Sequence, residues 1–155
     1  PNGSGRPPDV VRGQHGTRYA DLTQEPLFPF GHGLSYTKFT YSNLRLASPT
    51  LHAGQAAEVL VDVQNTGSRP GAEIVQVYVS DVVTTVTWVN QALKGFTRVH
   101  LQPGEKQTVR IVLSWEAFAL VDAEGRSVVE PGEFAILAGP SSREADSLKV
   151  RLDVK

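Results

Sequence analysis

An all-β fold, two antiparallel sheets of about seven short strands stacked as a sandwich, is what this sequence predicts on three observations. Apolar and polar residues alternate through much of residues 39–155. Turn-forming residues interrupt those runs at short intervals. No stretch carries a helical period of useful length, and Trp115-Glu116-Ala117-Phe118 makes a single turn at most. Alternation sends successive side chains to opposite faces of a strand, so each run has one apolar face to bury. Many short strands at this spacing suggest an antiparallel sandwich or barrel, and stacking two sheets keeps both apolar faces dry.

The elements follow in order. A first strand is expected over residues 39–46. Val59, Val61 and Val63 mark the second, and Val75, Val77 and Val79 the third, with Gln76 and Tyr78 between them on the opposite face. A run over residues 93–99 supplies the fourth, and Val109, Ile111 and Leu113 the fifth. Phe134, Ile136 and Ala138 define the sixth, and Leu148, Val150, Leu152 and Val154 the seventh. Three Pro-Gly pairs, Pro70-Gly71, Pro103-Gly104 and Pro131-Gly132, stand before strand patterns. Proline presets φ for the second turn residue, and glycine accepts the positive φ of the third in a type II turn. Asn65-Thr66-Gly67-Ser68 and Asp122-Ala123-Glu124-Gly125 are further turn signals.

Residues 1–38 are different in kind. They hold five of the ten prolines and six of the fourteen glycines, with no sustained period. This composition reads as an irregular arm. Asn2-Gly3-Ser4 matches a glycosylation acceptor, for which a chance tripeptide is the plainer reading. The chain opens on Pro1 and contains no methionine, so a fragment or processed product is the expectation.

Composition narrows the function. Fifteen basic and sixteen acidic residues leave a net charge of −1, which gives no polyanion footprint and no reason to expect nucleic acid. No 18-residue apolar run suits a membrane span. Absence of cysteine excludes disulfides, thiolate metal sites and a cysteine nucleophile, and suits either redox compartment. His15, His32, His52 and His100 lack metal-ligand spacing, so no metal is expected. No phosphate loop or dinucleotide fingerprint occurs, so no cofactor is expected. Gly33-Leu34-Ser35-Tyr36-Thr37 lacks the second glycine of a nucleophile elbow, and Ser35 is not read as catalytic. Glu58, Glu105, Asp122, Glu124, Glu130 and Glu133 flank turns, where carboxylates are ordinarily solvated.

Two features stand apart from a plain sandwich. The first is Leu27-Phe28-Pro29-Phe30-Gly31-His32-Gly33-Leu34-Ser35-Tyr36, aromatic yet too rich in proline and glycine to be an ordinary strand. Such a segment must pack on something, either the edge of its own sandwich or a neighbouring domain. Leu27, Phe28, Phe30, His32 and Tyr36 are the candidate packing residues. The second is the loop-like run 81–90 with Trp88. A tryptophan there can stack on a sugar ring or a partner surface, or fold back over the sandwich.

The residues from Glu25 through Phe39 resemble the linker signature Pro-Leu-Phe-Pro-Phe-Gly-x-Gly-Leu-Ser-Tyr-Thr-x-Phe of family-3 glycoside hydrolases, the β-glucosidase group. Val63-Gln64-Asn65-Thr66-Gly67, Gly71-Ala72-Glu73-Ile74-Val75-Gln76-Val77-Tyr78-Val79, Leu93-Lys94-Gly95-Phe96, Leu101-Gln102-Pro103-Gly104-Glu105 and Glu130-Pro131-Gly132-Glu133-Phe134 follow in the same order. Upstream, Gly5-Arg6-Pro7 resembles the close of the preceding α/β domain. One departure is Trp88-Val89, where many relatives carry Arg-Pro. The resemblance implies a fibronectin type III-like (immunoglobulin-like) sandwich over residues 39–155, with residues 1–38 as the linker from a catalytic domain. It implies a parent enzyme that hydrolyses β-glycosides with retention, using an aspartate nucleophile and a glutamate acid/base. No nucleophile motif of that family is present, so no catalytic residue carries over. Three roles follow as expectations: a non-catalytic buttress docking on the parent's catalytic domains, a module binding polysaccharide or another surface, and a loop over residues 81–91 reaching the substrate cleft.

Overall fold

The structure, a computed structural model, describes residues 26–82 and 91–155. Strands β1 (Phe39–Leu46), β3 (Ala57–Asn65), β4 (Gly71–Asp81), β5 (Ala92–Leu101), β6 (Lys106–Leu113), β9 (Gly132–Gly139) and β10 (Leu148–Val154) occupy the seven predicted runs. Three two-residue strands join them: β2 (Thr50–Leu51), β7 (Leu120–Val121) and β8 (Ser127–Val128). Each is too short to show a period. The single turn expected at residues 115–118 is a 3₁₀ turn, Trp115–Phe118.

One sheet has the order β1-β3-β6 and the other β2-β10-β9-β4-β5, while β7 and β8 form a small ribbon. The long strands pair antiparallel. The short β2, outside the seven predicted strands, lies parallel to β10. There Asp153 N–H donates to Pro49 O and Lys155 N–H to Leu51 O, so the last strand captures a two-residue edge.

The core lies between the sheets. Val59, Val61 and Val63 of β3 and Val109, Ile111 and Leu113 of β6 face Val75, Val77, Val79, Phe134, Ile136, Ala138 and Leu152. Burying one such side chain stabilises the fold by about 1.5–3 kcal/mol. Phe118, on the 3₁₀ turn, closes one end edge-to-face on Phe134, with ring centroids 5.4 Å apart.

The turn expectations need one correction. Gly104 has φ 79°, as the Pro103-Gly104 turn requires, and Gly125 closes the turn from Asp122 at φ 80°. Gly71 and Gly132 do not have positive φ. They open β4 and β9, so extended backbone follows those prolines directly.

The two outward faces differ in chemistry. On the three-stranded sheet, Asp62 accepts from Asn43 Nδ2 and Thr108 Oγ1, each at 2.8 Å, and pairs with Lys106 Nζ at 3.0 Å. Those hydrogen bonds hold its carboxyl well below the ordinary range. Asn43 sits at φ 52° in the bulge that shifts β1 against β3. Arg110 grips Glu58 through both Nε and Nη2. This face is finished for water. The five-stranded sheet presents Ile74, Gln76 and Tyr78 from β4, and part of the arm lies over Gln76 and Tyr78.

Candidate functional site

Residues 26–38 contain no strand and cross the outer face of β4. A turn opens the segment: His32 N–H donates to Pro29 O at 3.0 Å, and Gly31 adopts φ 78°. Pro29 is buried. The carbonyls that follow it are taken by the sandwich. Phe30 O accepts from Ser142 N–H at 2.9 Å. Gly31 O accepts from Gln76 Nε2 at 3.1 Å, and the same amide nitrogen donates to Pro140 O at 2.6 Å. Tyr78 Oη donates to Gln76 Oε1 at 2.5 Å, which fixes the amide with its nitrogen toward the segment. Gln76 and Tyr78 are both buried, and burial pushes the Tyr78 phenol up. In a water-poor site an unmade bond of this kind costs about 1–3 kcal/mol, so the clasp is specific as well as strong.

The far end is tied by Asn65. Thr37 Oγ1 donates to Asn65 Oδ1 at 2.6 Å, just before β1 begins. Ser35 Oγ accepts from Thr37 N–H at 3.3 Å, so the serine closes a local turn.

The side chains go the other way. Leu27, Phe28 and Phe30 are exposed, Leu34 is 95% exposed and Tyr36 93%. His32 is exposed too, its ring 5.2 Å from that of Phe28. Of the two packing options, the backbone and Pro29 take the sandwich, while the large side chains leave it. The result is a preformed apolar strip in which the carbonyls of Pro29, Phe30 and Gly31 are already bonded. Leu34 belongs to the strip and was absent from the candidate packing residues, though it lies in the segment the sequence singled out. Gln76, Tyr78 and Asn65, which hold the strip, were absent too; for Gln76 and Tyr78 the signal was an amide and an aromatic at outward positions of β4, where a solvated face carries charge. Trp88, the Asn2-Gly3-Ser4 tripeptide and His15 lie outside the described residues.

The turn carboxylates are engaged locally. Asp122 Oδ1 accepts from Arg126 N–H and Glu124 N–H, and these bonds hold its carboxyl low. Glu105 Oε2 accepts from Gln102 N–H, and Glu133 pairs with Arg151. Among the described residues, no group of three His, Asp or Glu side chains is placed to hold a metal ion.

Glu73 is the exception among the acids. It stands on β4 and accepts from Tyr41 Oη of β1 at 2.7 Å, so the pair ties one sheet to the other. Burial pushes the Glu73 carboxyl up, and the Tyr41 hydrogen bond offsets part of that. Burial and the facing carboxylate push the Tyr41 phenol up in turn. With its folded value above its unfolded one, this carboxyl contributes stability that is complete below the ordinary carboxylate range. That contribution is lost as pH rises through the raised folded value. We expect Glu73→Gln, which can still accept from Tyr41, to flatten the melting temperature against pH in that window. The change corresponds to at most one proton. Asp62 contributes with the opposite sign and cancels in the difference. Parallel curves for wild type and variant would refute the assignment.

Comparison with known proteins places the chain. Residues 73–142 match the fibronectin type III-like domain family. The thermostable β-glucosidase B of Acetivibrio thermocellus is 46% identical over 145 residues, 90% of this chain and 19% of its own. A β-xylosidase of Formosa agariphila is 41% identical over 97% of this chain and 20% of its own. The solved structure of a β-glucosidase involved in saponin metabolism, from intestinal bacteria, superposes with a TM-score of 0.86 at 43% identity, covering 93% of this chain and 20% of that one. The chain thus spans about a fifth of the length of these relatives. A two-sheet sandwich of this topology, with sequence similarity running almost end to end into such enzymes, belongs to the fibronectin type III-like domains of the family-3 glycoside hydrolases.

Proposed function

We propose that this domain is a non-catalytic buttress of a β-glycosidase and that it docks on the parent's catalytic domains through residues 27–36. In this reading residues 1–38 are the linker and residues 39–155 the sandwich, and the parent cleaves β-glucosides or related β-glycosides, as the names of its relatives suggest. The observation that carries the reading is the direction of the strip. Its backbone is clasped by Gln76 and Ser142, while Leu27, Phe28, Phe30, Leu34 and Tyr36 stand in solvent. A contiguous set of exposed apolar side chains on a rigid support marks an interaction surface. Burying each gains about 1.5–3 kcal/mol. Docking within one chain also avoids the translational cost that a separate partner would meet.

Deleting residues 39–155 from the complete hydrolase tests this. We expect lower soluble yield and a melting temperature reduced by at least about 5 °C for the catalytic part. An unchanged melting temperature with unchanged activity would sink the proposal. The exposed rings of Phe28, Phe30 and Tyr36 support a second reading, an accessory module that stacks on polysaccharide. Retention of the complete enzyme on insoluble glucan, lost in a Phe28→Ser/Phe30→Ser variant with its melting temperature intact, would favour that reading over the buttress.

A further inference from the structure

The outer face of the five-stranded sheet is covered on one side of Gln76 and bare on the other. Tyr78, Ala135 and Leu137 are buried there, with Leu93 packed against them. In the β4–β5 register, Tyr78 lies opposite Leu93, Gln76 opposite Phe96, and Ile74 opposite Arg98. Phe96 is 68% exposed, and Ile74 is exposed beside it. Gln76 is also the residue that holds Gly31. Phe96 therefore borders the same side chain that anchors the strip, and the two exposed apolar groups meet at Gln76.

β5 is also the edge of its sheet, ten residues long and paired on one side only. A long edge strand with an exposed aromatic invites unwanted pairing unless something covers it. The opposite face of the sandwich has no such need. There Glu58–Arg110 and Asp62–Lys106 complete one another, and Val112 is its one exposed large apolar residue among those described. The asymmetry gives the domain a wet side and a docking side.

We propose that Phe96, Ile74 and Arg98 form a second patch of the docking surface, covered by the catalytic part of the same hydrolase chain. The inference rests on the buttress reading above. The occupant follows from length: relatives carry about four-fifths of their chain outside the region matched here, and this surface meets, at Gln76, the strip where that remainder would dock. The chemistry asked of the partner is a flat apolar patch bearing a carboxylate. Arg98 is exposed, and no carboxylate pairs with it among the described residues.

Four variants of the complete hydrolase separate the possibilities: Phe96→Ser/Ile74→Thr, Arg98→Glu, Phe28→Ser/Phe30→Ser on the strip, and Val112→Ser on the wet face. The readout is hydrogen exchange of β5 amides and of segments outside this domain, with sedimentation to report association. We expect the β5 pair and Arg98→Glu each to speed exchange about tenfold in β5 and in one segment of the catalytic part. Val112→Ser should leave both unchanged. If the strip variant loosens the domains while the β5 variants behave like Val112→Ser, the second patch is wrong and the buttress stands. If neither strip nor β5 variants change exchange outside the domain, both fall. If Phe96→Ser/Ile74→Thr instead abolishes a concentration-dependent dimer, a second copy covers the patch and the proposal is overturned.

Discussion

Replacing Asn65 with alanine is expected to lower the unfolding free energy by about 3–4 kcal/mol, a large effect for one truncation. Asn65 is fully buried at the end of β3, yet its side chain makes four hydrogen bonds. Its Nδ2 donates to Arg69 O at 2.7 Å and to Leu101 O at 3.0 Å. Its Oδ1 accepts from Gly67 N–H at 3.0 Å and from Thr37 Oγ1 at 2.6 Å. One amide therefore fastens the turn after β3, the last residue of β5 in the other sheet, and the downstream end of the strip. Its own backbone continues the tie, with N–H donating to Glu105 O and C=O accepting from Gly104 N–H. Alanine leaves every side-chain partner unmet in a site with little water, and that desolvation cost exceeds the modest net value of the bonds themselves. Asn65→Asp is the informative companion. It keeps the two acceptor contacts but sets a carboxylate against the carbonyls of Arg69 and Leu101. It should be nearly as damaging at neutral pH and less so in acid, where a protonated carboxyl can donate once. Guanidinium unfolding of the 155-residue chain checks both. A shift for Asn65→Ala below about 1 kcal/mol would remove Asn65 from this role.

The strands whose outer face meets water were legible in the sequence because only one of their faces is buried. Val59, Val61 and Val63 show this, as do Val109, Ile111 and Leu113; each set sits on the core side, with Leu60, Asp62, Arg110 and Val112 between them on the outer face. β9 behaves differently. Alternation selected Phe134, Ile136 and Ala138, yet Ala135 and Leu137 are just as buried, because this strand is covered on both faces. The signal was present as an unbroken apolar run from Phe134 to Ala138, the mark of a strand with no wet side. The same covered patch explains Tyr78. Two-residue strands such as β2 carry no period at all, and the parallel capture of β2 by β10 depends on where two distant segments meet. For the arm, composition excluded an ordinary strand but left the direction of its side chains open. That direction is set by Gln76 and Ser142, more than forty residues away in sequence. No local pattern reports such a contact. Trp88, which the sequence also singles out, lies outside the described residues.

Gly31→Ala is expected to release the strip while leaving the sandwich folded. Gly31 has φ 78°, where any side chain is strained by about 1–2 kcal/mol. A Cβ there would also lie 2.0 Å from Gln76 Oε1 and 2.8 Å from Tyr78 Oη. Gln76 cannot yield cheaply, because its amide is held by Tyr78 Oη and Pro140 O as well as by Gly31 O. Moving the strip costs less, since its large side chains contact little and only Pro29 is buried. The strain should therefore appear as a local opening, with about 2–3 kcal/mol lost from the clasp and the core transition almost unchanged. The Ser142 amide reports it directly, through its hydrogen bond to Phe30 O. Its exchange should accelerate roughly 30- to 150-fold. Gln76→Leu opens the same clasp without backbone strain, by leaving Gly31 O and Pro140 O without their donor, and should raise Ser142 exchange in the same direction. Persistent protection of Ser142 in both variants would show that the clasp does not hold the strip. If the clasp does hold it, both variants should also weaken docking in the complete hydrolase while every exposed apolar side chain is still present. What they remove is the arrangement of those side chains before contact, and ordering them on binding must then be met from the docking energy itself.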